Sequence, residues 1–284
     1  MKRLLFTFLT FISFVAFAQE PPGWESRWSG FQTDSRGISY IFMYDANVAY
    51  TIAYDGSSNG TDISAIGVTT DGGNTWTTYD PVSLPGAVNP GISMIFATSP
   101  TTAYIAAYKR SFGNGGIWKS TDTGATWAKV STSSMYSNSA SFCNIVFFTD
   151  PNNGFCQGDP IGGEFEMYST TDGGTTWTPI PGANIDNPLP GEYGYTHGIV
   201  SAGGNIWFTT NKGRLFRSSD NGATWTAHNT PLTDFGGAAD NGSVTFKDAN
   251  EGWILRDNSE LYHTTDAGDS WTLMQNSVLT DMSG

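Results

Sequence analysis

The segment "STDTGATW", residues 120–127, has four near-copies elsewhere in the chain, and no other feature restricts the fold so sharply. Aligned on tryptophan, the set reads "TTDGGNTW" (69–76), "STDTGATW" (120–127), "TTDGGTTW" (170–177), "SSDNGATW" (218–225) and "TTDAGDSW" (264–271). Each copy places Ser or Thr first, Asp third, Gly fifth, Ser or Thr seventh and Trp eighth. The aspartates Asp71, Asp122, Asp172, Asp220 and Asp266 recur every 46–51 residues. That interval matches four short strands with their turns, one blade of a propeller.

Elementary chemistry accounts for the residue types. An aspartate opening a tight turn accepts hydrogen bonds from the backbone N–H groups of that turn. Glycine two places on supplies a residue with φ > 0, and a hydroxyl residue closes the turn from the far side. Trp76, Trp127, Trp177, Trp225 and Trp271 then open the next strand and bury their rings beneath the hairpin, a gain of about 2–3 kcal/mol for a large aromatic. All these roles are structural, so the most visible acid of the chain is expected to be neither a catalytic group nor a metal ligand.

The segments between boxes read as strands. In the third unit "NIVFFTD", "GFCQGDP" and "GEFEMYSTTDGG" lead through the box to "TPIPG"; the fifth repeats this with "GSVTFKD", "EGWILRD", "ELYHTTDAG" and "SWTLM". Short apolar runs separated by turn residues define an antiparallel meander, with the box joining third strand to fourth. The expected fold is all-β: a β-propeller of four-stranded antiparallel blades with five box units. The 34 glycines, 10 tryptophans and low share of charged residues (14%) suit such a turn-rich chain.

Residues 1–18 read apart from the rest. Lys2 and Arg3 precede an apolar run, and Ala16-Phe17-Ala18 offers the small residues of a signal-peptidase site. The expectation is a cleaved signal peptide over 1–18, a propeller over 19–284, no membrane insertion after cleavage, and a periplasmic, cell-surface or extracellular location. A formal charge of −13 disfavours nucleic acid and anionic lipid, which need a basic patch. Cys143 and Cys156 flank one hairpin. If Phe148 pairs with Phe155, Cys143 lies too far along the strand to bridge Cys156, so two buried free thiols are expected.

The boxes resemble the Asp-box, or BNR, repeats of sialidase-like β-propellers. That superfamily includes sialidases, xyloglucan-active glycosidases, sortilin-type receptors and the photosystem II stability and assembly factor family. The cadence from Ile145 to Trp177 looks most like the last of these and its uncharacterised bacterial relatives. The resemblance implies boxes on the outer rim, away from the central pocket, and leaves function open, because one fold hosts many sites. Propellers of this kind often close by borrowing an outer strand from one terminus. "WESRWSGFQT" (24–33) looks like such an orphan fourth strand, and with five complete units present it has no partner blade. A sequence stopping short of a sixth or seventh blade is the expectation, since open edge strands invite aggregation.

Chemistry is expected on the face formed by loops between second and third strands and by blade-to-blade connections. Those loops carry Asp55, Lys109, Arg110, Asp159, Lys212 and Arg256 with Asp257, and the longest connection adds Glu192, Tyr193, Tyr195 and His197. Asp159, Glu192, Tyr193, Tyr195, His197 and Arg256 are therefore the candidate binding residues, against the plainer possibility of ordinary solvated loops. A sialidase-like site needs an arginine cluster and a Tyr–Glu pair. The Arg-Ile-Pro signature that the resemblance would require is absent, Arg36 being followed by Gly37. A neutral-glycan hydrolase needs only two carboxylates about 5–9 Å apart, and Asp159 with Glu192 is a candidate pair whose separation sequence does not give. His197, His228 and His263 lack ligand spacing, each box has one acid where calcium loops need several oxygens, and no phosphate loop or dinucleotide fingerprint occurs. Neither metal nor cofactor is expected. The chain reads as an exported, non-catalytic binding or scaffold propeller for a protein or glycan partner, with a secreted glycoside hydrolase as the alternative.

Overall fold

The computed structural model describes residues 23, 25–111, 113–237, 242–256 and 260–275. The leader expected over 1–18 and Asp257 lie outside them. The described residues form five four-stranded antiparallel blades of a β-propeller, each in simple up-and-down order. Blade 1 is β1 (Arg36–Met43), β2 (Ala49–Asp55), β3 (Ile66–Thr69) and β4 (Thr77–Tyr79); blade 2 is β5 (Pro90–Ala97), β6 (Ala103–Lys109), β7 (Gly116–Ser120) and β8 (Ala128–Lys129). Blade 3 is β9 (Cys143–Phe148), β10 (Gly154–Ile161), β11 (Glu164–Thr170) and β12 (Thr178–Pro179). Blade 4 is β13 (Gly194–Ala202), β14 (Asn205–Thr210), β15 (Arg214–Ser218) and β16 (Thr226–Asn229), and blade 5 is β17 (Gly242–Phe246), β18 (Gly252–Arg256), β19 (Glu260–Thr264) and β20 (Thr272–Gln275).

The box joins third strand to fourth in every blade, as the sequence predicts. The antiparallel meander puts all five box turns at the end of the ring that carries the first hairpin of each blade, and the loops between second and third strands at the other. Gly72 N–H, for instance, donates to the carbonyl of Asn47 in the β1–β2 hairpin at 2.9 Å.

Apolar residues collect in the seams between blades rather than in one central core. One cluster joins blades 2, 3 and 4, with Met94, Tyr104, Val146, Phe155 and Phe208 among its members; a second joins blades 1 and 2, and a third blades 4 and 5. Along the axis, Phe42, Phe96 and Phe147 meet in sequence, with centroids 4.5 and 5.0 Å apart. Tyr40 reaches across to stack on His197 at 4.1 Å.

The innermost strands share a device. Ser39, Ser93 and Asn144 each fall at a break in register, as the extra residue of a bulge. The serine hydroxyls return to the carbonyls of Ile52 and Ala106 on the second strand, at 3.1 and 3.2 Å. The bulge thereby turns a polar side chain inward without leaving the neighbouring carbonyl bare.

Three sequence expectations need correction. Residues 25–33 form no strand: the Gly30 carbonyl accepts from Thr78 Oγ1 at 3.3 Å and Phe31 packs with Ala53 and Ala65, so the segment lies along blade 1 rather than completing another blade. In the cysteine hairpin Phe155 pairs with Phe147, not Phe148. Asp150 caps the N–H groups of Asn152 and Asn153, closing the turn before Gly154, which is free to pair with Phe148. Cys143 and Cys156 are both buried and free, as expected, and burial pushes both thiols up, Cys156 to about 12. Finally, β13 begins at Gly194, so Tyr195 and His197 belong to an inner strand and not to the loop before it.

Candidate functional site

The Asp boxes are closed systems. Asp122 accepts from Ser120 Oγ at 2.8 Å, from the Thr126 N–H at 2.8 Å and from Thr126 Oγ1 at 2.6 Å. Ser120 Oγ in turn accepts from the Gly124 N–H at 2.9 Å. The other four boxes repeat this net around Asp71, Asp172, Asp220 and Asp266. Hydroxyl and backbone donors hold these carboxyls below the usual range, Asp172 and Asp266 at about 2. Trp127 and Trp225 cap the turn from beneath, each donating Nε1 to the box glycine carbonyl at 3.0 Å. Both carboxylate oxygens of each box are engaged by the turn's own donors.

The opposite, loop-bearing end carries the predicted residues, but the structure does not assemble them into one site. Glu192 is buried, its side chain fully covered. Arg214 grips both carboxylate oxygens through Nε and Nη2, Thr210 Oγ1 donates at 2.6 Å and the Leu189 N–H at 2.7 Å. Burial alone would raise this carboxyl; the donors outweigh it and hold it low. Glu192 thus anchors the long connection onto β14 and β15, and cannot face a substrate beside Asp159.

Asp159 sits within β10 and accepts from Asn144 Nδ2 at 2.6 Å. Burial raises its carboxyl to about 6, against the lowering effect of Asn144 and the Gly194 N–H. Tyr193 is exposed and meets Tyr195 edge-on at 5.6 Å, while Tyr195 donates its hydroxyl to Asp234. Arg256 pairs with Glu260 at 3.1 Å within blade 5.

Tyr195 and His197 do converge on a cavity of about 310 Å³ between blades 4 and 5. Ile199, Thr209, Phe235 and Val244 complete much of its wall. Burial lowers the His197 imidazole to about 4, so the ring is neutral near pH 7, and among the described residues its buried Nε2 has no hydrogen-bond partner.

A second depression, of about 260 Å³, lies between blades 1 and 2 and is lined by Tyr54, Tyr108, Asp55, Asp62 and Arg110. Arg110 pairs with the exposed Asp62 at 3.1 Å, and Arg36 bonds Asp80 at 2.7 Å with Asp55 3.6 Å away. Tyr54 and Tyr108 lie flat over Gly37 and Gly91, where a Cβ would come within 2.3 Å of either ring. These tyrosines escaped the sequence reading. Their signal is cross-strand: each faces a glycine of the inner strand in the same register.

Fold and boxes together define a β-propeller whose blades are each closed by an Asp-box turn. No protein-family model matches the chain. A xyloglucanase of Paenibacillus sp is 27% identical over 279 aligned residues, taking in 81% of this chain and 25% of the enzyme. The chain therefore spans about a quarter of that relative's length. Among solved structures, YCF48 bound to D1 peptide superposes with a TM-score of 0.53 at 16% identity, covering 88% of this chain and 72% of the neighbour. The GH74 enzyme of Niastella koreensis superposes with a TM-score of 0.58 at 18% identity over 84% of this chain and 38% of the enzyme.

Proposed function

We propose that this propeller is a non-catalytic recognition module that binds a protein or glycan partner on its loop-bearing face. The observation that carries this reading is the engagement of Glu192: with its carboxylate spent on Arg214, Thr210 and Leu189, it is not free to serve as the second acid beside Asp159 that glycoside hydrolysis requires. The cavity at Tyr195 and His197 is where contact with the partner is proposed. Neighbours of both kinds support a partner in this range, one solved with a peptide and others named as xyloglucan-active. Titration calorimetry with xyloglucan oligosaccharides and with peptides, run beside a reducing-end assay, tests it. Saturable binding without sugar release, weakened about tenfold by His197→Ala, is expected.

A hydrolase remains the second reading because Asp159, raised to about 6, has the protonation behaviour of a general acid, and because the relatives are glycosidases by name. Release of reducing ends that Asp159→Asn abolishes would establish it in place of the first. We also propose that the chain is exported by residues 1–18. A reporter fused behind those residues should leave the cytoplasm, and one lacking them should not.

A further inference from the structure

At each joint the second strand of one blade turns a row of side chains, spaced two residues apart, toward the next blade. In β2 the row is Tyr50, Ile52 and Tyr54; Tyr50 Oη donates to the Pro100 carbonyl of blade 2 at 3.5 Å, so Tyr54 faces blade 2 as well. In β6 the row is Tyr104, Ala106 and Tyr108; Tyr104 Oη donates to the Gly173 carbonyl of blade 3 at 2.9 Å, so Tyr108 faces blade 3. Tyr54 and Tyr108 hold equivalent places. Each pairs with an inner-strand glycine two residues before the bulge, Gly37 before Ser39 and Gly91 before Ser93.

The two joints differ in what meets the ring. Two residues before the bulge at Asn144, blade 3 presents Phe142, which stacks on Tyr108 with centroids 4.1 Å apart. At the same place blade 2 presents Gly91, which has no side chain to offer Tyr54. Tyr54 is accordingly 50% exposed, and it lines, with Gly91, the depression of about 260 Å³ between blades 1 and 2. This joint has a described blade on each side, and the opening follows from the residue at position 91.

The open place is the one that a six-membered ring fills one joint further on, but its wall is polar, with Ser39, Asp55, Thr61, Asp62 and Arg110 around it. Asp55 accepts from the Ser57 and Thr61 N–H groups at 3.0 and 3.1 Å, and so shapes the loop. Asp62 is 77% exposed and gives Oδ2 to Arg110 Nη1 at 3.1 Å, leaving Oδ1 to solvent. A phenyl ring seated here would strip water from Asp62 and Arg110 and return no hydrogen bond. A pyranose has an apolar C–H face for the tyrosine and hydroxyls that donate to the carboxylate. The carboxylate at the rim and the formal charge of −13 favour an uncharged sugar over an acidic one.

We propose that this depression is a subsite for one uncharged pyranose residue of a glycan, stacked on Tyr54 with its hydroxyls on Asp62. Arg110 acts as a positioning residue that holds the carboxylate at the rim. The proposal rests on the recognition reading in its glycan form, and it places the sugar at a different joint from the cavity at His197.

Saturation-transfer NMR and titration calorimetry on the full chain with cellotetraose, mannotetraose and xylotetraose test it. Saturable binding of at least one is expected, weakened about tenfold by Tyr54→Ala and about fivefold by Asp62→Ala, retained by Tyr54→Phe and unchanged by His197→Ala. Binding that neither Tyr54→Ala nor Asp62→Ala weakens, or no binding of any of the three saccharides, overturns the proposal. Loss of binding in His197→Ala alone overturns this subsite while upholding the cavity between blades 4 and 5. Binding of the peptide acetyl-Gly-Phe-Gly-amide that Tyr54→Ala abolishes, with no saccharide bound, gives the place to an aromatic side chain and overturns the sugar. Circular dichroism melts identify loss of fold, and the exposed Asp62 keeps the test decisive if Tyr54→Ala melts early.

Discussion

The Arg214 guanidinium closes on both oxygens of the Glu192 carboxylate, joining the long connection between blades 3 and 4 to β15 across 22 residues of sequence. Both side chains are largely out of water, at 11% and 0% exposure. Removing one partner of a buried pair strands the other charge, a cost of about 3–5 kcal/mol. Glu192→Ala should lose stability on that scale in urea unfolding. Any ligand affinity of the folded variant should be retained, since the Glu192 side chain is fully covered. Because the folded carboxyl titrates below its unfolded value, the pair stabilises fully above about pH 4.5 and less as pH falls through the lowered folded value.

The box aspartates set the acid limit in the same way. Asp172 and Asp266 titrate at about 2 in the fold and near 3.9 in the unfolded chain. The unfolded chain therefore takes up protons first as pH drops, and stability should decline between about pH 4 and 2. Asp172→Asn and Asp266→Asn should each lower the melting temperature at pH 7 and make the acid-side decline shallower. A double variant with an unchanged acid profile would show that other carboxylates govern it.

The box tryptophans should divide by blade. Trp225 is almost fully buried, packs edge-on to Phe155 at 5.0 Å and sits under a turn covered by its neighbours. Trp225→Ala should cost about 3–5 kcal/mol. Trp76, in the blade whose box is exposed, is only partly buried, so Trp76→Ala should cost about half as much. Chemical denaturation of the two variants compares them directly.

Much of this fold was legible because each blade is a local object. Box spacing, the strand runs around it and the placement of the turn between third and fourth strands all follow from patterns within 50 residues. What sequence hides is contact between elements. Nothing in "SSDNGATW" shows that Asn221 is left-handed, because the turn imposes that geometry on whatever residue occupies the place. Glu192 reads as a polar loop acid until β15 delivers Arg214 to it. The cysteine hairpin slips by one residue because Asp150 satisfies two turn N–H groups with its side chain, which apolar alternation does not report. Tyr195 and His197 were found as candidates, and only the fold shows that they share a cavity from which Arg256 is absent.

Asp159 and His197, both near the loop-bearing end of the ring, should make opposing contributions to the pH dependence of stability. Burial raises Asp159 to about 6, so its folded form binds a proton more readily than the unfolded chain does, and stability grows as pH falls from 6.5 to 4.5. Burial lowers His197 to about 4, so there the unfolded chain binds the proton first and stability shrinks over the same window. Each effect is worth about 2 kcal/mol, the scale of a shift of one to two pKa units. These two contributions should therefore nearly offset each other between pH 6.5 and 4.5, leaving the wild type to weaken through His228, whose imidazole burial also lowers. Asp159→Asn should expose the histidine, giving a protein that weakens steadily on acidification. His197→Phe preserves a ring against Tyr40 and should expose the carboxylate, giving a protein that gains stability relative to the wild type as pH falls. Urea unfolding of the three proteins at half-unit pH intervals reads the two slopes. Parallel profiles in both variants would mean that neither group is buried as the geometry requires.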